Sequence, residues 1–458
     1  MGRIAYASVT DTLRLAATVL VPTVAQGVIL RRPRVTAMAD ALELDRRAVH
    51  LLRRMRAKYG GGPLVLRTPL RRLVLVLSPE DVRRVLADTP EPFAADNREK
   101  RSALGHFQPD GVLISHGGLR EDRRRFNEAV LDTHRSLHRL ADGFGAVVRQ
   151  EMEALPEEGT LTWDRFAPAW WRAVRRIALG DAARDDEELI ALLNRLRADA
   201  NWSYLRPRRR ETYERFASRL RAHLDRAEPG SLAGLLPQAP VTARTRPESQ
   251  VAHWLFAFDA AGIATFRTLA LLAAHPEHTA RARAETAATH PEGAAVERPF
   301  LRACVLESVR LWPTTLAILR DGTRTTHWEG GVIPRQTPFL IHSSFVNRDE
   351  EADPGANRFT PHIWLDGTAA ERWSIVPFSR GAARCPAQNL VLTVASEVLA
   401  ALLRGRDLRL AFPRTFEPGR DLPYTLDHFT LRFDVHRPAA QDGTGGRAAR
   451  AGAVPSGP

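Results

Sequence analysis

The sequence predicts a mainly α-helical fold with small β-sheets, gathered in one domain over residues 1–438. Three observations lead there. Apolar residues recur at helical spacing through most of the chain from about residue 119 to 311, β-rich runs are short and few, and no internal repeat is present. Residues 13–30 are apolar but interrupted by Arg14, Pro22 and Gln26, too broken for a membrane span. They read as an amphipathic or packed segment, with membrane-surface contact as the alternative. Residues 63–77 hold two β-rich runs about a Thr-Pro break, a small hairpin. Ser78-Pro79-Glu80 supplies an N-cap and a proline for the first helical turn, opening a short helix to about Asp88. Helical periodicity then covers 119–153, 164–179, 185–200, 208–227, 249–274, 277–289 and 297–311. Extended segments are expected near 325–345 and 423–436. Residues 439–458, rich in Gly, Ala and Pro, read as a disordered tail.

The composition, 44% hydrophobic and 26% charged over 458 residues, is that of a globular chain large enough to enclose a cofactor. The net charge is +13, and Lys58 and Lys100 are the only lysines. Arginines alternate with acids, as in Arg120-Glu121-Asp122-Arg123, which predicts a basic solvated surface. An arginine-rich nucleic-acid binder is the rival reading, but no basic stripe interleaved with aromatics supports it. Two cysteines, Cys304 and Cys385, allow neither a disulfide framework nor a zinc cluster, and they fit a reducing, cytoplasmic setting. His275 and His278 lack a third ligand nearby and are discounted as a metal site.

Cys385 ends the segment Phe378-Ser379-Arg380-Gly381-Ala382-Ala383-Arg384-Cys385 and precedes an apolar helical run, residues 388–403. A cysteine at a helix N-terminus is favoured as thiolate by the backbone N–H groups and the dipole. Such a thiolate can ligate haem iron; a buried structural cysteine is the bland alternative. Glu307 and Arg310 lie three apart on a helical run with apolar neighbours Cys304, Val305 and Leu311, so they are expected to pair, partly buried. Residues 253–273 are apolar almost all round, hence a buried helix. In it, Ala260-Ala261-Gly262 would let a flat ring approach the backbone, and Thr265 follows.

In this order and at these intervals, the marks resemble the cytochrome P-450 family, bacterial soluble type, over about residues 1–437. The cysteine loop resembles the family's haem-binding loop, with the aromatic on Phe378, the glycine on Gly381 and the axial ligand on Cys385. Glu307-Ser308-Val309-Arg310 matches the structural ExxR, and Ala261-Gly262 with Thr265 the A-G-x-x-T of the helix over the haem. Pro361 and Trp364 match the box that follows. The resemblance assigns Arg320 and Arg124 to the haem propionates. Phe107, Phe258, Ala261, Thr265 and residues 314–317 become candidates for the substrate pocket. Three charged family positions are replaced: Ala383, with Arg384 one place later, stands for the basic residue before the cysteine, Ile363 for the arginine that joins the ExxR pair, and Ala264 for the acid before the threonine. Arg358 is a possible substitute for the second, and Asp259 is the acid nearest Thr265.

The resemblance implies a haem b monooxygenase that uses dioxygen to oxidise a small organic substrate. Thr265 would hold a water or the bound dioxygen. No ferredoxin or flavin module follows Cys385, so electrons are expected from a separate ferredoxin and ferredoxin reductase, docking at a basic face. A peroxide-driven peroxygenase on the same fold is the alternative that Ala264 suggests; Arg267 is the arginine nearest Thr265.

Overall fold

The hairpin expected at 63–77 forms, and the largest sheet grows around it. The computed structural model describes residues 4–68, 71–287, 294–413, 416–417 and 419–437; the expected tail at 439–458 lies outside them. The strands are β1 (Ala5–Tyr6), β2 (Leu64–Arg67), β3 (Arg72–Leu75), β4 (Phe93–Ala94), β5 (Gly159–Thr162), β6 (Ala317–Gly322), β7 (Thr326–Trp328), β8 (Gly331–Ile333), β9 (Pro338–His342), β10 (Asp407–Phe412) and β11 (Arg432–His436). The helices are α1 (Val9–Leu15), α2 (Val21–Gln26), α3 (Pro33–Ala41), α4 (Leu44–Tyr59), α5 (Pro79–Ala87), α6 (Arg98–Leu104), α7 (Gly117–Val130), α8 (Ala141–Glu153) and α9 (Trp163–Leu179). They continue with α10 (Glu187–Ala200), α11 (Arg210–Arg226), α12 (Pro247–Ala274), α13 (Pro276–Ala287), α14 (Pro299–Leu311), α15 (Ser343–Asn347), α16 (Thr368–Glu371) and α17 (Gln388–Leu403). The fold is mainly α with small sheets, as expected.

Val65 pairs with Val74 in the antiparallel β2–β3 hairpin, and the sheet runs β1-β2-β3-β9-β6-β4. β10-β11-β5 make a second sheet and β7-β8 a third. The Ser78 hydroxyl accepts the Asp81 N–H at 3.2 Å and Pro79 opens α5, so the local capping signal is obeyed. Two large apolar cores result among the described residues, with a small third around Ile363, Ala369 and Ile375. The smaller of the two packs one side of the sheet, around Val49, Val74, Phe339 and Leu340. The larger holds Phe166, Trp170, Phe266 and Val398 between the helices. α12 runs through it and packs on α9, α14 and α17. Among the described residues α12 alone is long and apolar enough to cross a membrane, and 72% of its most apolar stretch is buried inside the protein.

Two expectations are corrected. The single helix over 119–153 is two, α7 and α8, because Asp132 takes φ +48° and its carboxylate accepts the Arg139 N–H at 2.7 Å, a local bond that competes with the helix ladder. The arginines are not merely a solvated surface: ten of them are at most 9% exposed among the described residues. Several end on loop carbonyls, as Arg348 does on Leu422 (2.6 Å) and Pro423 (2.7 Å), the fork of donors suiting backbone oxygens that no ladder satisfies.

Candidate active site

α17 starts at Gln388 with Ala387 as its N-cap, so Cys385 stands three residues before the first helical one. Its N–H donates to the Phe378 carbonyl at 3.0 Å, which closes the loop. Gly381 takes φ +67°, and a Cβ there would run into the Leu86 carbonyl oxygen at the end of α5. Only glycine lets the loop lie that close to α5. The half-buried cysteine is not held as a thiolate by the protein alone. Burial pushes its thiol up, and the Ala387 N–H, Arg124 and Arg384 pull down without overcoming it. The expected helix-dipole activation is thus too weak here, since the sulfur sits ahead of the helix proper. A bound metal cation would supply the missing stabilisation of the thiolate.

Beside the loop is a group of cations poor in anions. Arg320 is 3% exposed, and its guanidinium donates only to neutral oxygens: Thr89 Oγ1 (3.2 Å), Ser379 Oγ (3.2 Å) and the Leu319 carbonyl (2.9 Å). Burial, with Arg120 nearby, lowers its pKa to about 10. Arg120 donates to the Ala382 carbonyl at 3.1 Å. Lys100 Nζ donates to the Ala95 (2.6 Å) and Leu319 (3.1 Å) carbonyls, and burial, reinforced by Arg320, brings its pKa down to about 7. Among the described residues no carboxylate pairs with Arg320, and Asp321, Asp96 and Glu99 act on Lys100 only from beyond ion-pair distance, so burying Arg320 beside a second cation is costly. A dianionic group such as the two haem propionates would complete the set, and the residues fit it. Arg124, the expected contact, lies against the cysteine loop, its Nε paired with Glu128 at 2.5 Å and its Nη1 donating to the Arg384 carbonyl at 2.7 Å. Arg120, four before Arg124 in the stretch matched to the family's propionate position, joins the group, whereas Lys100 was missed; its one signal was that it is one of only two lysines in an arginine-rich chain.

Glu307 and Arg310 are 0% and 2% exposed and form a bidentate pair, Nε–Oε2 2.7 Å and Nη2–Oε1 2.5 Å. Arg310 also donates to the carbonyls of Asn347 (3.1 Å), Ala356 (2.6 Å) and Arg358 (2.9 Å), tying α14 to the segment before the cysteine loop. Glu307 further accepts from Thr360 N–H and Oγ1, both at 2.9 Å, and from Trp364 Nε1 at 2.8 Å. Burial raises the Glu307 pKa, but Arg310, Trp364 and Thr360 outweigh it and hold the carboxyl below its usual range. Trp364 therefore fills the third place that Ile363 leaves vacant. Arg358 does not: its guanidinium lies out near Asp421 at 3.7 Å and only its carbonyl reaches the pair.

On α12, Thr265 is fully buried and its hydroxyl donates to the Ala261 carbonyl at 2.8 Å. Gly262 packs against Trp170. A Cβ there would lie 2.7 Å from the Trp170 indole nitrogen, so the close approach it permits is taken by Trp170, whose Nε1 donates to the Phe258 carbonyl at 3.1 Å. Asp259 is committed to Arg197 at 2.5 Å. Phe107 and Phe258 are buried, Phe107 tilted against Phe256 and Phe258 edge-on to Trp170. His275 and His278 flank Phe359, and no metal-type cluster occurs among the described residues.

Comparison with known proteins points the same way. The family model "Cytochrome P450" matches residues 257–410, which hold Thr265, the Glu307–Arg310 pair and Cys385. Cyclooctat-9-en-7-ol 5-monooxygenase from Streptomyces melanosporofaciens is 29% identical over 215 residues, 42% of this chain and 46% of that protein. The alignment thus spans about half the length of that relative. Cytochrome P450 734A2 from Oryza sativa subsp. japonica is 24% identical over 77% of this chain and 74% of its own. The crystal structure of a cytochrome P450 (CYP102L1) superposes with a TM-score of 0.69 at 18% identity, covering 85% of this chain and 94% of that one, a likeness of fold. With a cysteine loop, a buried Glu–Arg pair and a central helix in the matched stretch, this chain is similar to the cytochrome P450 family over residues 257–410 and shares its fold.

Proposed function

We propose that the chain is a haem-thiolate monooxygenase that oxidises a small organic substrate with dioxygen. The observation that carries the reading is Cys385 in its glycine-kinked loop beside Arg320, a buried guanidinium without an ion-pair partner among the described residues, with Arg120 and Lys100 next to it. Haem b is the group whose charge and single thiolate ligand suit that arrangement. Bound there, it would supply reductive activation of dioxygen. The chain's own residues do the rest. Cys385 would supply the thiolate ligand and the cations would hold the propionates, while Phe378 and Gly381 fix the loop. The Glu307–Arg310–Trp364 cluster locks the segments that carry it.

Thr265 is the hydroxyl that would hold a water at the site, once turned from the Ala261 carbonyl. No carboxylate stands at Ala264, and Asp259 is tied to Arg197, so protons reach the site through water or through Thr265 itself. The name of the Streptomyces relative supports a monooxygenase over the peroxide-driven alternative. Electrons come from a separate ferredoxin and its reductase in the cytoplasm. The distribution of arginine into ion pairs such as Glu151 with Arg172, Arg176 and Arg184 gives no support to nucleic-acid binding. The test is the visible spectrum of the reduced, carbon-monoxide-bound protein. A thiolate-type Soret band lost in Cys385→Ser supports the reading; its absence from the wild type, or its survival in the variant, overturns it. Turnover with ferredoxin and reductase, set against peroxide, tests the electron source.

A further inference from the structure

Arg320 and Lys100 meet at one oxygen. The Leu319 carbonyl accepts Arg320 Nη1 at 2.9 Å and Lys100 Nζ at 3.1 Å, so the two donors lie no farther apart than these bonds laid end to end. Arg320 is buried and Lys100 half-buried, its Nζ donating to the Ala95 and Leu319 carbonyls. An ammonium has three N–H donors, and an amine has two. Two carbonyl acceptors suit the amine, and no third protein acceptor of Nζ occurs among the described residues. Of two cations sharing one neutral oxygen, the guanidinium keeps its proton at any ordinary pH, whereas a desolvated lysine gives its own up readily. Burial, reinforced by Arg320, accordingly brings the Lys100 pKa down to about 7.

The other charged groups facing Lys100 do not restore the ammonium. On α6 itself, Glu99 pairs with Arg71 at 2.5 Å, and on β6 Asp321 lies 3.5 Å from the same guanidinium. Just before α6, Asp96 pairs with Arg101 at 2.5 Å and with His116 at 3.2 Å. Asp321 Oδ1 and Glu99 Oε2 are buried without a hydrogen-bond partner, yet they act on Nζ only from beyond ion-pair distance. Arg120, from α7, adds a third cation beside Arg320. We propose that Lys100 is a proton-linked contact for the haem propionates: an amine beside Arg320 in the protein alone, it takes one proton from solvent as the dianion binds and pairs with a carboxylate as the ammonium. The inference rests on the haem-thiolate reading and deepens it by giving the cofactor site a pH dependence. The bound dianion raises the lysine's pKa above its value in the protein alone. Haem affinity is therefore full below about pH 7 and falls as pH rises from there, until the raised value is passed.

The experiment counts protons by calorimetry of haem binding to the full chain, in buffers of differing ionisation enthalpy. At pH 8 the wild type is expected to take up about one proton per haem more than Lys100→Met, and at pH 6 the two counts agree to within about 0.2. Proton release from the Cys385 thiol and any change at His116 are common to both chains and cancel in the difference. Haem dimethyl ester, whose propionates carry no charge, is expected to remove the extra proton from the wild type itself, so a poorly folding Lys100→Met does not stall the test. Transfer of haem to apomyoglobin is a second readout. Lys100→Met is expected to lose haem about tenfold faster than the wild type at pH 6, and Lys100→Arg, which keeps the charge but does not titrate, restores retention and flattens its pH dependence. An equal count in wild type and Lys100→Met at pH 8, or as many protons taken up with the ester as with haem, overturns the inference and leaves the haem-thiolate reading standing. A chain that binds no haem, or binds it without the thiolate Soret band, refutes that reading and this inference with it.

Discussion

Replacing Trp364 with Phe deletes one donor to Glu307 and keeps most of the ring, which isolates what the indole N–H contributes. The bond is 2.8 Å long and ends on a carboxylate with no exposure, so it belongs with hydrogen bonds to charged groups. Such a bond is worth about 1.5–3 kcal/mol when one partner is removed. Four other donors remain on Glu307, from Arg310 and Thr360, so the loss stays well short of the roughly 3–5 kcal/mol expected when Glu307→Gln breaks the buried ion pair itself. Trp373→Phe is the control. That ring is also half-buried and carries cation contacts from Arg380 and Arg83, but it donates to no carboxylate among the described residues. Urea unfolding followed by far-ultraviolet circular dichroism measures all three variants. The carboxyl of Glu307 is held low in the folded state, so the contribution of Trp364 is present above the ordinary carboxylate range. It fades as pH falls through the lowered folded value. A Trp364→Phe cost within about 0.5 kcal/mol of the Trp373→Phe cost at neutral pH would refute the indole as the third member of the cluster.

Three further outcomes are expected. Gly381→Ala, forced against the Leu86 carbonyl at φ +67°, destabilises the loop by about 1–3 kcal/mol and lowers the haem bound per chain, measured by pyridine haemochrome; normal loading would show the loop tolerates a side chain. Gly262→Ala costs about 1–3 kcal/mol by overpacking, and adding Trp170→Leu returns most of it in thermal unfolding, whereas an equal cost in both backgrounds would mean that something other than Trp170 fills the space. Asp40 has its pKa raised to about 6, first by burial and then by Asp427, so its ionisation opposes folding as pH rises from about 4 to above 6. Asp40→Asn is therefore expected to stabilise the protein at pH 8 by on the order of 1 kcal/mol, a figure discounted for its partial exposure, and to change nothing at pH 4; a gain at both would point to a cause other than its charge.

What the sequence could show was what neighbours in the chain decide. The Ser78–Pro79 cap, the hairpin at 64–75 and α17 from Gln388 to Leu403 are all set by residues within one or two turns, and they stand where the pattern put them. α4 was missed because seven of its sixteen residues carry charge, which hides the apolar row Ala48, Val49, Leu52 and Met55. β5 was missed because it pairs with β11 nearly three hundred residues later, and four residues have no periodicity to read. In the site, the positions of Cys385, Glu307 and Arg310 followed from spacing. The partners did not. That Gly262 faces Trp170 and that Lys100 lies beside Arg320 are facts of tertiary packing between segments dozens to hundreds of residues apart.

The three charged positions that this chain lacks divide by what each charge has to do. The cysteine loop needs positive potential near it, and Coulomb interaction falls off slowly enough that Lys100 and Arg120 offer it from other elements in place of Ala383. The buried Glu307 needs donors, and an indole N–H one residue along at Trp364 serves as well as a guanidinium at Ile363 because the acceptor fixes only direction and distance. A proton donor is less easily moved, since it has to come within hydrogen-bond reach of the reacting atoms or join them through ordered water. The nearest acid on α12, Asp259, is spent on Arg197, which is 1% exposed and has no other carboxylate at ion-pair distance among the described residues. Freeing that carboxylate would strand a buried guanidinium, at a cost of several kcal/mol. The framework around the cysteine is thus built with other residues, whereas none replaces the acid at Ala264, and under the proposed function proton delivery is where this chain departs furthest from the pattern it otherwise follows.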